Sequence, residues 1–255
     1  MKKTVLIIDD NTEILEFVTD ILEDNYHVLT AIDGESGINL LTNHLVHLII
    51  SDVMMPGIDG FQLCQTLKED LAYCHIPVIL LTAKNTFKAQ IEGLEKGADA
   101  YIKKPFSPTL LQVQVANLLK NRSKIKEHTA HAPFFDIHIE SSSKSDEEFL
   151  KEIDHYIQSN LSNKTISIDQ LAAHMNMSRP TFYRKINSLS SISPKELIDQ
   201  ARLKKATDLM AQGQYKIYEI AHMTGYSSQS VFGKTFQKYF NQSPKEYIHA
   251  MKNKL

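Results

Sequence analysis

Through the first 120 residues, short apolar runs alternate with amphipathic stretches of helical length. The apolar runs lie at about 4–9, 26–31, 46–51, 77–82 and 99–103. The amphipathic stretches lie at about 11–24, 34–43, 58–69, 85–96 and 107–120. Because strands that alternate with helices pair in parallel through right-handed crossovers, the pattern predicts a (βα)5 unit. The central runs are nearly continuous in Val, Ile and Leu, which favours a doubly wound α/β sheet covered on both faces.

The pattern is helical from residue 146 to the C-terminus, and it contains an internal repeat. The sequence SPKE occurs at 193–196 and again at 243–246. In each copy Ser can cap a helix, Pro can occupy its first position and Glu its third, which is a capping box. Residues 146–255 are therefore predicted to form an all-α domain, with helices that start at both copies of the repeat.

Two longer segments, 168–186 and 217–236, share a second pattern. Each has a short helix with a small Ala, a turn that contains Asn176 or Gly225, and a longer helix led by Ser. Asn and Gly tolerate the left-handed backbone conformation that such a turn needs. The segments are predicted to be two helix-turn-helix units.

The second helix of each unit is predicted to bury one face and to expose a face without acidic residues. The predicted buried positions are Phe182, Ile186 and Leu189 in the first unit, and Val231 or Phe232, Phe236 and Phe240 in the second. The opposite faces offer Arg179, Thr181, Arg184 and Lys185, and then Gln229, Ser230, Lys234, Gln237 and Lys238. Such side chains suit contacts with base edges and phosphates. The alternative is a helical bundle whose basic residues only face solvent.

A single helix of 19 residues, 194–212, is predicted between the two units. At 1.5 Å per residue it is about 28 Å long. Successive major-groove faces on one side of B-DNA lie roughly 34 Å apart. The connector could therefore hold both recognition helices against one face of a duplex, as a bipartite clamp formed by one chain.

Charge differs between the two halves of the chain. Residues 1–120 carry 9 basic and 16 acidic side chains, a net charge of −7, whereas residues 121–255 carry 19 and 14, a net charge of +5. Only the second half is expected to meet a polyanion. Cys64 and Cys74 lack a metal-ligand spacing, so we predict neither a disulfide nor a zinc site.

No apolar stretch reaches the roughly 18 residues that span a bilayer, and the N-terminus runs into acidic residues where a secretory signal would stay apolar. A cytoplasmic location is predicted. Residues 121–145 are polar and contain a run of three serines. We interpret them as a linker between a domain at 1–120 and another at 146–255. The histidines of this linker match no familiar ligand spacing, so no metal site is predicted there.

Polar residues follow four of the five apolar runs. Asp9 and Asp10 follow the first, Asp52 the third, Thr82 the fourth and Lys104 the fifth. Because ligands of open α/β sheets bind outside the carboxyl ends of the strands, these residues are expected to converge. Carboxylates clustered away from water raise one another's pKa values, and a divalent cation such as Mg²⁺ removes that conflict. The arrangement indicates a site that accepts a phosphoryl group on a carboxylate.

Taken singly, these residues have ordinary interpretations. Asp9 or Asp10 could cap the helix that starts near Thr12. Asp52 could be only a loop residue, Lys104 could be a solvated strand end, and Thr82 and Tyr101 could be part of the core. Their joint occurrence, at the ends of apolar runs that are predicted to be strands, favours the phosphoryl-transfer site.

The segments LIIDDN, SDVMMPGIDG, PVILLTA and GADAYIKKPF together resemble the receiver domain of bacterial two-component response regulators over residues 1–120. The resemblance implies a flavodoxin-like fold with Asp52 as the phosphoacceptor. It implies that Asp9, Asp10 and Asp52 bind Mg²⁺ with the backbone carbonyl of Met54. It also implies that Lys104 contacts the phosphoryl oxygens and that Thr82 and Tyr101 form a switch pair.

Residues 146–253 resemble the DNA-binding domain of AraC-type transcription regulators. The matching segments are MSRPTFYRKI, ARLKKATDLM, EIAHMTGYSSQSVFGKTFQKYF and NQSPKEYI. The resemblance implies base contacts by Pro180, Tyr183 and Arg184 in the first unit and by Gln229, Ser230 and Lys234 in the second, with Arg179 and Thr181 beside them. The chain departs from the family at Ser191 and Asn241, where Gly is usual, and at Gly233 inside a recognition helix.

We interpret the chain as a response regulator, and not an enzyme, in which phosphorylation controls binding to DNA. The implied partners are DNA, a histidine kinase and a second copy of the phosphorylated chain. Together with NTEILEF and HIPVILLTAK, the domain order also resembles the C-terminal part of Bacteroidetes hybrid sensors, where the kinase precedes the receiver on one polypeptide. Both placements of the kinase stay open. The alternative function is a phosphate sink whose helical half binds a protein, whereas activation by a small molecule is disfavoured.

Overall fold

The chain is described by a computed structural model that covers residues 2–83, 93, 95–131, 144–190 and 192–252, with the backbone alone for 123–131 and 252. It divides into two compact units. Residues up to 127 form the body of the first, and residues from 147 onward form the body of the second. Most of the predicted helix at 85–96 lies outside the described residues, as does Ser191.

A five-stranded parallel sheet forms the centre of the first unit. Its strands are β1 (Thr4–Ile8), β2 (His27–Ala31), β3 (Leu48–Asp52), β4 (Val78–Thr82) and β5 (Ala100–Lys103). Their order in the sheet is β2-β1-β3-β4-β5, and every neighbouring pair is parallel. This is the flavodoxin-like doubly wound order, so the predicted fold class is confirmed.

Both faces of the sheet are covered by apolar side chains. Successive residues of a strand point to opposite faces. Accordingly, Leu6 and Ile49 belong to the apolar cluster on one face, and Ile7 and Ile50 to the cluster on the other. Burial on both faces is the reason that the central runs contain so few polar residues.

Four helices accompany the sheet in the described part of the first unit: α1 (Thr12–Leu22), α2 (Gly34–Asn43), α3 (Gly60–Glu69) and α4 (Pro108–His131). Asn11 caps α1, because its side chain accepts a hydrogen bond from the backbone N–H of Glu13. The alternative role of Asp9 or Asp10 as the cap of this helix is therefore wrong. Asp59 and Gln62 form a capping box at the start of α3.

Helix α4 differs from the sequence prediction. The amphipathic pattern predicts a helix at 107–120 and a linker from 121, whereas the helix continues to His131. Residues 121–131 are polar but contain no Gly or Pro, so nothing in their side chains stops the helix. The remainder of the linker up to residue 143 lies outside the described residues.

The second unit consists of helices in the part of the chain that is described. They are α5 (Lys144–Ser159), α6 (Ile168–His174), α7 (Arg179–Leu189), α8 (Pro194–Gln212), α9 (Ile217–Met223), α10 (Gln229–Phe240) and α11 (Pro244–Lys252). Helix α8 has the predicted limits of the connector. Both copies of the SPKE repeat form the expected reciprocal hydrogen bonds between Ser and Glu.

The turns of the second unit use left-handed residues at the predicted positions. Asn176 has a φ of 53° in the turn between α6 and α7, and Gly225 has a φ of 76° in the turn between α9 and α10. Asn241, where the family usually has Gly, also has a φ of 53°. Gly225 has a further role, since a Cβ there would lie 2.3 Å from the carbonyl oxygen of Leu161. No helix among the described residues is both long and apolar enough to cross a membrane.

Candidate functional site

The order of the sheet creates a crevice at the ends of β1 and β3. The connection after β1 leads to β2 on one side, whereas the connection after β3 leads to β4 on the other side. The connections therefore leave the neighbouring strands β1 and β3 in opposite directions. Ligands of such sheets bind at this switch point. Asp9 directly follows β1, and Asp52 is the last residue of β3. The topology therefore brings together two carboxylates that are 43 positions apart in the sequence.

Lys104 joins these two carboxylates. Its Nζ donates a hydrogen bond of 2.6 Å to Oδ2 of Asp9 and another of 2.6 Å to Oδ1 of Asp52. Both carboxylates are buried, whereas Lys104 is half-buried. The backbone N–H of Lys104 donates to the carbonyl oxygen of Thr82 at 2.7 Å, which ties the segment after β5 to the end of β4. Three residues predicted to share a site are thus in direct contact.

The electrostatics of the cluster favour a bound cation. Burial raises the pKa of Asp52, although the ammonium of Lys104 opposes that effect. Burial acts to lower the pKa of Lys104, but its hydrogen bonds to Asp52 and Asp9, together with the attraction of their negative charges, outweigh burial and raise the pKa. Lys104 therefore stays charged, and one ammonium faces two carboxylates. The remaining negative charge is the feature that a divalent cation would neutralise.

Asp10 and Met54 are less closely associated with this cluster. Asp10 is exposed, and among the described residues no group of three or more His, Cys, Asp and Glu side chains is arranged to hold a metal ion. The backbone N–H of Met54 donates to Oδ2 of Asp52 at 2.6 Å. Mg²⁺ usually keeps several waters and uses only one or two carboxylates. The oxygens of Asp9 and Asp52 therefore fit such an ion without a third close carboxylate.

Thr82 and Tyr101, the predicted switch pair, lie on the neighbouring strands β4 and β5. Thr82 is fully buried at the end of β4. Tyr101 pairs with Leu80 across the strands, and its ring packs beside Gly93. Its hydroxyl is buried and has no hydrogen-bond partner among the described residues. Thr82 and Tyr101 therefore lie on adjacent paired strands, and the hydroxyl group of the tyrosine is buried.

Gly60 is a positioning residue that the sequence analysis did not single out. It is the first residue of α3, and its N–H donates to the carbonyl oxygen of Val53 at 3.0 Å. A Cβ at this position would lie 2.1 Å from the carbonyl oxygen of Asp52. Helix α3 can approach the end of β3 only because this residue has no side chain. The Asp-Gly pair after the Pro-Gly turn is the signal that could have revealed it.

The first recognition helix, α7, exposes fewer cations than predicted. Arg179 forms an exposed ion pair of 3.1 Å with Asp169 of α6. Arg184 folds back along its own helix, where Nε donates to the carbonyl oxygen of Pro180 at 3.3 Å and Nη2 to Oγ1 of Thr181 at 3.2 Å. Tyr183 is half-buried beside Arg179, whose guanidinium carbon lies 5.8 Å from the ring centre.

Two residues that were placed on the exposed face of α7 are buried. Thr181 is 9% exposed, and its Oγ1 lies 2.8 Å from Oγ of the capping residue Ser178. Lys185 is fully buried, with Nζ 5.2 Å from the ring centre of Phe149 on α5. Both placements on the exposed face are therefore wrong. Helix α5, which the helical period of α7 cannot reveal, covers part of the face that would otherwise be exposed.

The second recognition helix, α10, exposes the predicted polar face. Of its predicted buried residues, Phe232 and Phe236 are fully buried, whereas Phe240 is half-buried and packs with its ring centre 5.2 Å from that of Tyr247 on α11. The exposed polar residues are Gln229, Ser230, Lys234, Gln237 and Lys238. Ser228 caps the helix by accepting a hydrogen bond from the N–H of Val231 at 3.2 Å. A helix N-terminus with these neighbours suits contacts with a polyanion.

Two family profiles match the chain. The profile described as response regulator receiver domain matches residues 5–116, and the helix-turn-helix domain profile, of AraC type, matches residues 171–250. Residues 5–116 belong to the receiver domain family, and residues 171–250 belong to the AraC-type helix-turn-helix family. Both predicted resemblances are confirmed.

Proteins similar to this receiver and helix-turn-helix chain include a kinase and two regulators. Histidine kinase P4 of Formosa agariphila is 35% identical over 96% of this chain and 18% of that protein. Response regulator GtcR of Aneurinibacillus migulanus is 41% identical over 50% of this chain and 52% of that protein. Probable transcriptional regulator ycf27 of Guillardia theta is 39% identical over 48% of each. The chain thus spans about a fifth of the first relative and about half of the other two.

One solved structure, the BeF3-activated DrrB receiver domain, is 32% identical to the receiver part of this chain. It covers 47% of this chain and 99% of its own, with a TM-score of 0.44.

Proposed function

We propose that this chain is a two-component transcription regulator in which phosphorylation of Asp52 controls sequence-specific DNA binding by residues 146–255. The observation that supports the receiver role is the contact of Lys104 with both Asp9 and Asp52, at 2.6 Å each. An ammonium group held between two buried carboxylates at the carboxyl ends of β1 and β3 suits the transfer of a phosphoryl group to one of them.

In the proposed reaction a carboxylate oxygen of Asp52 attacks the phosphorus of a phosphohistidine on the partner kinase. The new O–P bond forms as the P–N bond breaks, and the imidazole leaves with the electron pair of that bond. Lys104 exchanges its hydrogen bond with Asp52 for one with a phosphoryl oxygen. Asp9, Asp52 and the carbonyl group of Met54 are proposed as ligands of Mg²⁺, and Asp10, which is exposed, would have to turn toward the ion to join them. When bound, Mg²⁺ neutralises negative charge on the carboxylates and the phosphoryl group.

The proposed DNA contacts combine the two recognition helices. The residues proposed to contact bases are Pro180, Tyr183 and Arg184 in the first unit and Gln229, Ser230 and Lys234 in the second. Arg179 can reach DNA only after its ion pair with Asp169 opens. Helix α8 separates the two units by a length close to one turn of duplex. The proposed location is the cytoplasm, where the chain can meet DNA, and the proposed kinase lies on this or a separate polypeptide.

We expect phosphorylation to promote homodimerisation through the face that the predicted helices at 85–96 and 107–120 form, and thereby to tighten DNA binding. Light scattering of the full chain with Mg²⁺ and beryllofluoride, a phosphoryl mimic, should show the mass of a dimer. The affinity for a selected duplex should rise in the same buffer. A chain that stays monomeric, with an unchanged DNA affinity, would contradict this mechanism.

Substitutions in the two recognition helices should separate base contacts from phosphate contacts. Arg184 lies in the middle of α7, two residues after the buried Phe182, whereas Lys238 lies near the end of α10, where we expect it to reach phosphate alone. Loss of a bidentate base contact costs about 1–3 kcal/mol of binding free energy and relaxes specificity. Loss of a phosphate contact weakens binding to all DNA sequences alike, and it reduces the slope of log affinity against log salt concentration by about one unit. Arg184→Ala should therefore lower the ratio of specific to non-specific affinity, and Lys238→Ala should leave it nearly unchanged.

Titrations of both variants on selected and scrambled duplexes at several salt concentrations test this expectation. Identical behaviour of the two variants would show that Arg184 does not read a base. The same titrations also test the alternative function, the phosphate sink. A chain that binds no duplex with a salt-dependent affinity would favour that alternative, because phosphate contacts make DNA binding depend on salt.

A further inference from the structure

An apolar side chain interrupts the polar exposed face of the second recognition helix. Val231 is 46% exposed. The sequence left open whether Val231 or Phe232 faces the core, and the core contains Phe232. The ring of Phe232 is fully buried, with centroid distances of 5.2 Å to Tyr226 and 5.6 Å to Phe236. The core of this unit is therefore filled by aromatic rings, and the methyl groups of Val231 remain largely outside it.

Valine contributes little to stability at such a position. Its β-branched side chain loses rotamer freedom in a helix, and a half-exposed isopropyl group gains only part of the free energy of burial. Its location, however, is informative. Val231 is the third residue of α10, directly after Gln229 and Ser230 and one turn before Lys234. In a helix-turn-helix unit the N-terminal residues of the second helix contact base edges in the major groove.

The corresponding position of the first unit behaves differently. Alignment of the capping residues Ser178 and Ser228 places Thr181 opposite Val231. Thr181 is 9% exposed, and its hydroxyl lies 2.8 Å from Oγ of Ser178 and accepts a hydrogen bond from Arg184. Valine has no oxygen through which it could be retained in this way. The two units therefore present different chemistry at one shared position, a retained hydroxyl in the first and outward methyl groups in the second.

We propose that Val231 recognises a thymine in the half-site of the second unit by packing its methyl groups against the C5 methyl group of the base. The proposal rests on the proposed DNA-binding function and adds the identity of one base. Thymine is the only base of DNA that presents a methyl group in the major groove, and apolar side chains contact it there. The exposed neighbours of Val231 on α10 are polar, so they suit the hydrogen-bonding groups of the adjacent bases.

Replacement of thymine by deoxyuridine tests this contact, because it removes the methyl group and leaves every hydrogen-bonding group of the base in place. Duplexes are first selected from a random library by the full chain with Mg²⁺ and beryllofluoride. Each thymine of the selected site is then replaced in turn, and affinities are measured for the wild type, for Val231→Ala and for Leu45→Ala. Leu45 is a matched control, since it is a similarly exposed apolar residue, at 47%, in the loop between α2 and β3, outside the recognition helices and outside the two helices of the proposed dimer face.

For the wild type and Leu45→Ala, we expect one thymine in the second half-site at which deoxyuridine weakens binding about fourfold, which corresponds to about 0.8 kcal/mol for one buried methyl-sized group. For Val231→Ala this penalty should disappear. If it persists in Val231→Ala, or if no thymine of the half-site is sensitive, Val231 is an ordinary exposed apolar residue and the inference is wrong. Equal affinity for selected and scrambled duplexes would instead overturn the proposed function itself.

Discussion

Asp52→Asn is expected to abolish labelling of the chain by a small-molecule phosphodonor in the presence of Mg²⁺. The amide has nearly the size and shape of the carboxylate, so the fold should persist. It lacks the anionic oxygen that forms the acyl phosphate, and it removes one of the two carboxylates that contact Lys104. Intact-protein mass spectrometry should show the added phosphoryl group in the wild type and none in the variant.

Asp20→Asn is a suitable control, because Asp20 is an exposed carboxylate on α1. It should be labelled as fully as the wild type, and circular dichroism should show the same helix content for all three proteins. Full labelling of Asp52→Asn at another residue would show that Asp52 is not the phosphoacceptor. The DNA affinity of Asp52→Asn should also no longer respond to the phosphodonor, whereas that of Asp20→Asn should respond as in the wild type.

Gly60→Ala should both destabilise the receiver and slow its phosphorylation. The added Cβ would lie 2.1 Å from the carbonyl oxygen of Asp52 and 2.9 Å from Cα of Val53, and both are backbone atoms. Helix α3 or the end of β3 must therefore move. Overpacking of this kind typically costs 1–3 kcal/mol. A misplacement of about 1 Å at a reacting group can slow a reaction on the order of 100-fold. Thermal unfolding and the labelling rate of the full chain measure the two effects.

Gly233→Ala provides a contrasting control in the same chain. Gly233 is also a helical glycine, but no atom lies within 4 Å of the position that its Cβ would occupy. Replacement of an interior helical Gly by Ala should stabilise the second unit by up to about 1 kcal/mol. The labelling rate should not change. If Gly60→Ala were as stable and as rapidly labelled as the wild type, close packing at Gly60 would not position Asp52.

The two recognition helices are expected to contribute differently to DNA binding. In the first, Arg179 pairs with Asp169, and Arg184 bonds to the carbonyl oxygen of Pro180. These contacts must be exchanged for contacts with DNA, which reduces the net gain from each. In the second, Lys234 and its polar neighbours are exposed. We therefore expect the second helix to supply more of the salt-dependent affinity, and the first to contribute mainly through specificity.

Much of the fold follows from local properties of the sequence. The alternation of apolar runs and amphipathic stretches predicted the five strands because a strand buried on both faces must be apolar throughout. The SPKE repeats and the left-handed positions Asn176 and Gly225 predicted helix starts and turns, since capping and φ angles depend on a few adjacent residues. The convergence of the strand ends was also predictable, because it follows from parallel topology.

The sequence by itself thus determined the fold class, the two-domain order and the residue types at the proposed phosphoacceptor site. Only the tertiary structure decided which of those residues meet. It joined Asp9 and Asp52 through Lys104 and left Asp10 exposed. It also required a residue without a side chain at Gly60 and covered Lys185 with Phe149 of another helix. These outcomes depend on contacts between distant segments, and the period of a single helix or strand carries no information about what packs against it.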